Sequence, residues 1–266
     1  MKKNYSLNIL LFLILWVLAP LVYANKLVLN DIDWPPYLFS ESKHNLSGLG
    51  KDVLNECLPK KNFTLTYSKL PIKRTHLYMQ SGELDISLYS YKKEREAFVV
   101  YGKVPIFTTE YGFAMRADSK VDIHKIEDLH PLIIGHLAGL TYTPELLALI
   151  DKKRLVGEIS EGHSIDAMFA QLLSSNPRFD IMPNSKQTFY WRAKTLGVAD
   201  KIKVPKFTVS FRDYFVTVSK NSKNITDTTG FLTSLDSCIT QMHNDGRYLA
   251  LLKKYGLENL AQPKSH

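Results

Sequence analysis

Lys26-Leu27-Val28-Leu29-Asn30-Asp31 reads as a short strand, and Trp34-Pro35-Pro36-Tyr37-Leu38-Phe39 ends it, because proline cannot donate to a continuing ladder. Beyond this aromatic stop, residues 50–57 and 72–80 carry helical spacing, with a strand at 63–67 between them. Gly82 stands where a C-terminal cap is expected, and 84–89 follows as another strand.

The same alternation continues outward. Residues 110–115, 131–135, 179–182 and 214–219 read as strands, residues 143–152, 164–174 and 186–196 as helices, and 226–255 as one long helical tail. Strands and helices in turn predict α/β layers with mostly parallel sheets. The chain has no internal repeat, no low-complexity stretch and no Gly/Ser linker, so any two lobes must be joined by ordinary strands.

Toward the start, Lys2 and Lys3 precede an apolar run at 9–19, and Val22-Tyr23-Ala24 supplies small residues at a cleavage position. Residues 1–24 are therefore expected to be a signal peptide, removed after Ala24 on export to the periplasm. No Cys follows the run, so a lipid anchor is not expected. Removal leaves 242 residues (266 less 24), enough for one large domain or two compact ones. The formal net charge of +8 falls to +6 once Lys2 and Lys3 are gone. Basic pairs such as Lys92-Lys93 and Lys253-Lys254 are not runs, and no aromatics interleave with a basic stripe, so nucleic acid is not an expected partner. Cys57 and Cys238 in an oxidising compartment form either one long-range disulfide or two buried thiols.

No G-x-S-x-G elbow, H-E-x-x-H helix, phosphate loop or G-x-G-x-x-G turn occurs. The eight histidines include no pair four apart on a helix, so no metal site, cofactor or catalytic set is expected. His136 and His163 read as ordinary loop or surface residues.

Four strings, in order, resemble bacterial extracellular solute-binding proteins of family 3, and they span nearly the whole chain after the signal. These are Asp33-Trp34-Pro35-Pro36-Tyr37 with Gly48-Leu49-Gly50-Lys51-Asp52; Ser81-Gly82-Glu83-Leu84-Asp85 leading through Tyr89-Ser90 to Lys93-Glu94-Arg95 and Val104-Pro105-Ile106-Phe107; Gly135-His136-Leu137-Ala138-Gly139-Leu140-Thr141; and Asp245-Gly246-Arg247-Tyr248 with Lys254-Tyr255-Gly256-Leu257. The resemblance implies two α/β lobes around a ligand cleft, with crossings near 107–109 and 211–214. Residues 25–108 with 213–266 would form the first lobe and 109–212 the second.

It also implies site residues. Arg95 matches the arginine that clamps a ligand carboxylate, a task suited to the guanidinium fork; otherwise it would pair with Glu94 or Glu96 at the surface. Tyr89 and Ser90 would complete the anion pocket. Thr141 would add a hydroxyl near a helix N-terminus, or simply cap that helix. Trp34 and Tyr37 would wall the solute or pack in the core. Asp31 matches a pocket acid of relatives that bind basic amino acids, or is merely an acidic strand end. Arg74 would be a second cation, suited to a solute with more than one acidic group. Where relatives place an acid for the α-ammonium group, this chain has Asn184 or Ser185, which puts an amino-acid ligand in doubt. The expected role is a monomeric binding protein that captures a small polar or carboxylate-bearing solute for an ABC-type membrane transporter. A sensor subunit for a membrane receptor is the alternative, and a dehydratase-like enzyme a remoter one.

Overall fold

The computed structural model describes residues 24–39, 46–60 and 62–258, so the signal-peptide expectation, all but Ala24 of it, lies outside the described residues. Strands β1 (Asn25–Asn30), β2 (Phe63–Ser68) and β3 (Ile86–Ser90) alternate with helices α1 (Leu49–Cys57) and α2 (Ile72–Ser81). Then come β4 (Val99–Arg116), β5 (Ile134–Leu137), α3 (Pro144–Leu155), β6 (Ile159–Gly162), α4 (Ile165–Leu172), β7 (Ile181–Ser185) and α5 (Lys186–Thr195). The chain ends with β8 (Ile202–Lys203), β9 (Ser210–Ser219), α6 (Thr228–Asp245) and α7 (Arg247–Lys254).

The architecture is a two-lobed α/β fold. The strand order is β2-β1-β3-β9-β4-β7-β5-β6, with β8 on β4. The β1–β2, β1–β3, β5–β6 and β5–β7 pairs are parallel, and every antiparallel pair involves β4 or β9. These two long strands join the halves, with Phe107 opposite Tyr214, Thr108 opposite Asp213 and Thr109 opposite Arg212.

Each half has its own core. In the first, Leu27 and Leu29 of β1 meet Val53 and Leu54 of α1 and Leu235 and Ile239 of α6. In the second, Phe113, Met115 and Ile181 pack on one side with Leu146 and Ile150 of α3, while Ala114 and Met182 face Met168, Phe169 and Phe189 of α4 and α5. Helices on both faces bury successive strand residues, so these strands read as apolar runs.

Three departures from the sequence reading have local causes. The strand expected at 110–115 is the end of an 18-residue strand, whose first half is obscured by Gly102 and Pro105 and by register shifts on either side of Pro105. Strand β7 runs through Pro183, which sits opposite Phe113, where a proline argues against a strand. The tail expected as one helix breaks at Gly246, which adopts φ 82°, a left-handed conformation that glycine takes without steric cost.

Cys57 at the end of α1 is bonded to Cys238 of α6, with Cα atoms 5.5 Å apart. This resolves the two readings in favour of the disulfide. The aromatic loop is held against α1 by its own carbonyls: Leu49 N–H donates to Pro36 and Gly50 N–H to Tyr37, each at 2.9 Å. These bonds satisfy amides that a helix start leaves without partners, and they place Trp34 beside the end of β1.

Candidate functional site

Parallel strands in α/β sheets bind ligands in the crevice beyond their carboxyl ends. Here β1 ends at Asn30, β3 at Ser90, β5 at Leu137 and β7 at Ser185. Asn30, Ser90, Leu137 and Asn184 all line one cavity of about 500 Å³. Asp31, Trp34, Tyr89, Arg95 and Thr141 also line it, so seven of the sequence-predicted residues converge, from segments up to 153 positions apart (184 less 31).

Arg95 sits in a 3-10 turn, Lys93–Ala97, just past β3. Its guanidinium donates to the Ser90 carbonyl at 2.9 Å and lies 4.5 Å from the centroid of the Tyr89 ring. That is the geometry of a cation resting on an aromatic face. It also answers the surface-pair reading of Arg95, for no bond to Glu94 or Glu96 holds it among the described residues. His76 of α2 bonds the Tyr89 hydroxyl through Nδ1 at 2.8 Å. Burial, and then the charges of Arg95 and Lys92, lower the His76 pKa to about 4. Lys92 is itself held below the usual lysine range by burial and by Arg95 and Arg212.

Trp34 forms the aromatic wall, 4.8 Å from Tyr214 and 4.8 Å from Tyr37 by ring centroids. Tyr37 itself does not reach the cavity: it is 1% exposed and stacks on Phe107 at 4.3 Å. Asp31 lines the cavity, but its carboxylate is 2.6 Å from Lys51, whose ammonium is buried and also donates to the Phe39 carbonyl. Asn184 is buried, with its side-chain oxygen accepting from Ser185 N–H at 2.7 Å. Ser185 is turned away from the cavity to cap α5, accepting from Thr188 N–H at 3.3 Å and donating to Gln187 at 2.8 Å. Thr141 is not the helix cap; Thr143 is, accepting from Leu146 N–H at 3.4 Å.

Arg74 stays outside the cavity. The α2 residues that line it are Ile72, Thr75 and His76, the i, i+3, i+4 stripe of one helix face, and Arg74 points to solvent. The second guanidinium at the site is that of Arg212. Its guanidinium donates to the Thr141 carbonyl at 2.8 Å and lies 5.0 Å from the Tyr111 ring centroid. Sequence reasoning placed a crossing at 211–214 but missed Arg212, Tyr214, Tyr111 and His76. The one available signal was period-2 spacing, which puts Arg212 and Tyr214 on the same strand face.

The two halves also touch beside the cavity. Arg192 of α5 pairs with Asp33 in the aromatic loop and lies 3.3 Å from Asp166 of α4, and Thr188 donates to the Pro35 carbonyl at 2.9 Å. Among the described residues no cluster of His, Cys, Asp or Glu could hold a metal ion, and no helix is long and apolar enough to cross a membrane.

Solved structures share this architecture. ArgBP from T. maritima, as a mutant, superposes with a TM-score of 0.70 at 18% identity, covering 87% of this chain and 95% of that one. A histidine kinase sensor domain similar to periplasmic binding proteins gives a TM-score of 0.72 at 13% identity, covering 91% and 99%. The GluR0 ligand-binding core from Nostoc punctiforme, in complex with L-glutamate, gives 0.67 at 16% identity, covering 87% and 99%. No curated protein matches the chain in sequence. The family described as bacterial extracellular solute-binding proteins, family 3, matches residues 27–258, and the chain belongs to that family.

Proposed function

We propose that this protein captures a small carboxylate-bearing solute, an amino acid or a related acid, and delivers it to an ABC-type transporter in the periplasm. Residues 1–24 would be removed on export. The observation that carries the reading is Arg95, fixed by the Ser90 carbonyl and the Tyr89 ring at the mouth of β3. A cation held there meets a carboxylate with charge-assisted, geometrically defined hydrogen bonds. Residues 25–108 with 213–266 would close against 109–212 by bending in β4 and β9, a hinge closure around ligand. The solute is bound and released unaltered.

Thermal unfolding of the chain from residue 25 against amino acids, carboxylic acids, amines and sugars tests this. A ligand at 100 times its Kd stabilises by about 2.7 kcal/mol. Stabilisation by carboxylates supports the reading, whereas stabilisation by amines or sugars alone refutes it. A second role, presenting the closed form to a membrane receptor, is favoured by the likeness to the sensor domain. Uptake of the labelled solute by cells with and without this protein separates the two, since only a transport role makes uptake depend on it.

A further inference from the structure

Two guanidinium groups enter the cavity, and they are built alike. Arg95 lies on Tyr89 and is tied to the Ser90 carbonyl, and Arg212 lies on Tyr111 and is tied to the Thr141 carbonyl. The two are neighbours. Arg212 is two residues before Tyr214, about 7 Å along the strand, and Tyr214 stands opposite Ser90 in the β3–β9 ladder. Their tethers lie on different segments, one at the end of β3 and the other in the loop after β5.

The acids along the cavity are engaged: Asp31 with Lys51, and Asp33 with Arg192. At the end of β7 stands the neutral amide of Asn184. The site thus offers two tethered guanidinium groups for anions, with Lys69 also on its lining, and has engaged its carboxylates elsewhere, leaving a weak setting for an ammonium group. The shared influence of Arg95 and Arg212 on Lys92 agrees with a local excess of positive charge.

Resting on the reading that this cleft binds a carboxylate-bearing solute, we propose that its solute is a small dicarboxylate without an ammonium group, one carboxylate held by Arg95 and the other by Arg212.

Calorimetric titration with matched acids tests this: succinate, butyrate and L-aspartate, then glutarate, valerate and L-glutamate. A dicarboxylate should bind roughly 10- to 100-fold tighter than the monocarboxylate of equal length, as expected for one added charged hydrogen-bonded contact, and tighter than its amino counterpart. Arg212→Gln should cost the dicarboxylates more affinity than the monocarboxylates, bringing succinate or glutarate down to about the level of butyrate or valerate, and Arg212→Lys should fall between. A cooperative urea unfolding transition reports that the variant is folded. Tighter binding of L-aspartate or L-glutamate, a dicarboxylate preference that survives Arg212→Gln, or tighter binding of inorganic sulfate would overturn the proposal while leaving the carboxylate reading intact. Failure of all six acids to bind would overturn both.

Discussion

The His76 imidazole and the Tyr89 phenol are joined at 2.8 Å on the cavity wall, with Arg95 on the same tyrosine ring. Burial raises the Tyr89 pKa and keeps the phenol protonated, while burial and the nearby Arg95 and Lys92 charges keep His76 neutral. The phenol therefore donates and the imidazole accepts.

That bond carries a pH dependence. The His76 pKa of about 4 in the folded protein lies below its ordinary 6.5, so between those values the unfolded chain binds the extra proton. Stability is then full above pH 6.5 and declines as pH falls toward 4. Urea unfolding at several pH values should show a steeper acid loss for the wild type than for His76→Gln. Equal slopes would remove His76 as the cause.

Arg95→Ala should weaken carboxylate binding by about 2–5 kcal/mol, as loss of one partner of a buried charged pair does. It also deletes one of the charges that depress His76. NMR titration should therefore show the His76 pKa rising toward 6.5 in this variant, a response that general loosening of the site does not require.

The disulfide joins residues 181 positions apart. Cross-linking a long loop restricts the unfolded chain, and its removal typically costs about 2–5 kcal/mol. Cys57→Ala with Cys238→Ala should lower the denaturation midpoint accordingly. Ligand affinity should be unchanged, because neither cysteine lines the cavity.

Gly48 has φ 105°, and a Cβ there would lie 2.4 Å from the Tyr37 carbonyl oxygen. Gly48→Ala should destabilise the fold by about 1–3 kcal/mol through backbone strain alone, with the steric clash adding to it. Because the displaced loop carries Trp34, binding should weaken as well. A variant as stable as the wild type in urea would contradict this.

Arg192, its side chain only 16% accessible, ties the more exposed Asp33, 52% accessible, to the second lobe. Solvent screening at the exposed Asp33 end limits the pair to about 0–1 kcal/mol. Arg192→Gln should leave global stability nearly unchanged yet increase the radius of gyration of the unliganded protein by small-angle scattering, as the lobes part more readily. An unchanged radius would show that the Phe39–Trp191 and Thr188–Pro35 contacts suffice to hold them.

The part of the fold legible along the chain was local and periodic. The strand into Asp31, the proline stop after it and the helix at 50–57 follow from spacing over a few residues, whereas Arg95 was singled out by the family likeness. Which of several chemically similar residues meets the cavity was settled by packing between distant segments. Arg74 and Arg212 are equally cationic in the chain, yet α2 turns its 72-75-76 stripe inward and leaves Arg74 in water, while β9 carries Arg212 onto Tyr111. Trp34 and Tyr37 are three positions apart, yet one is wall and the other core. Cys57 and Cys238 became a pair only when α1 and α6 packed on one sheet. Periodicity specifies that a face is buried; what that face meets depends on contacts between segments more than a hundred residues apart, and no local pattern encodes those.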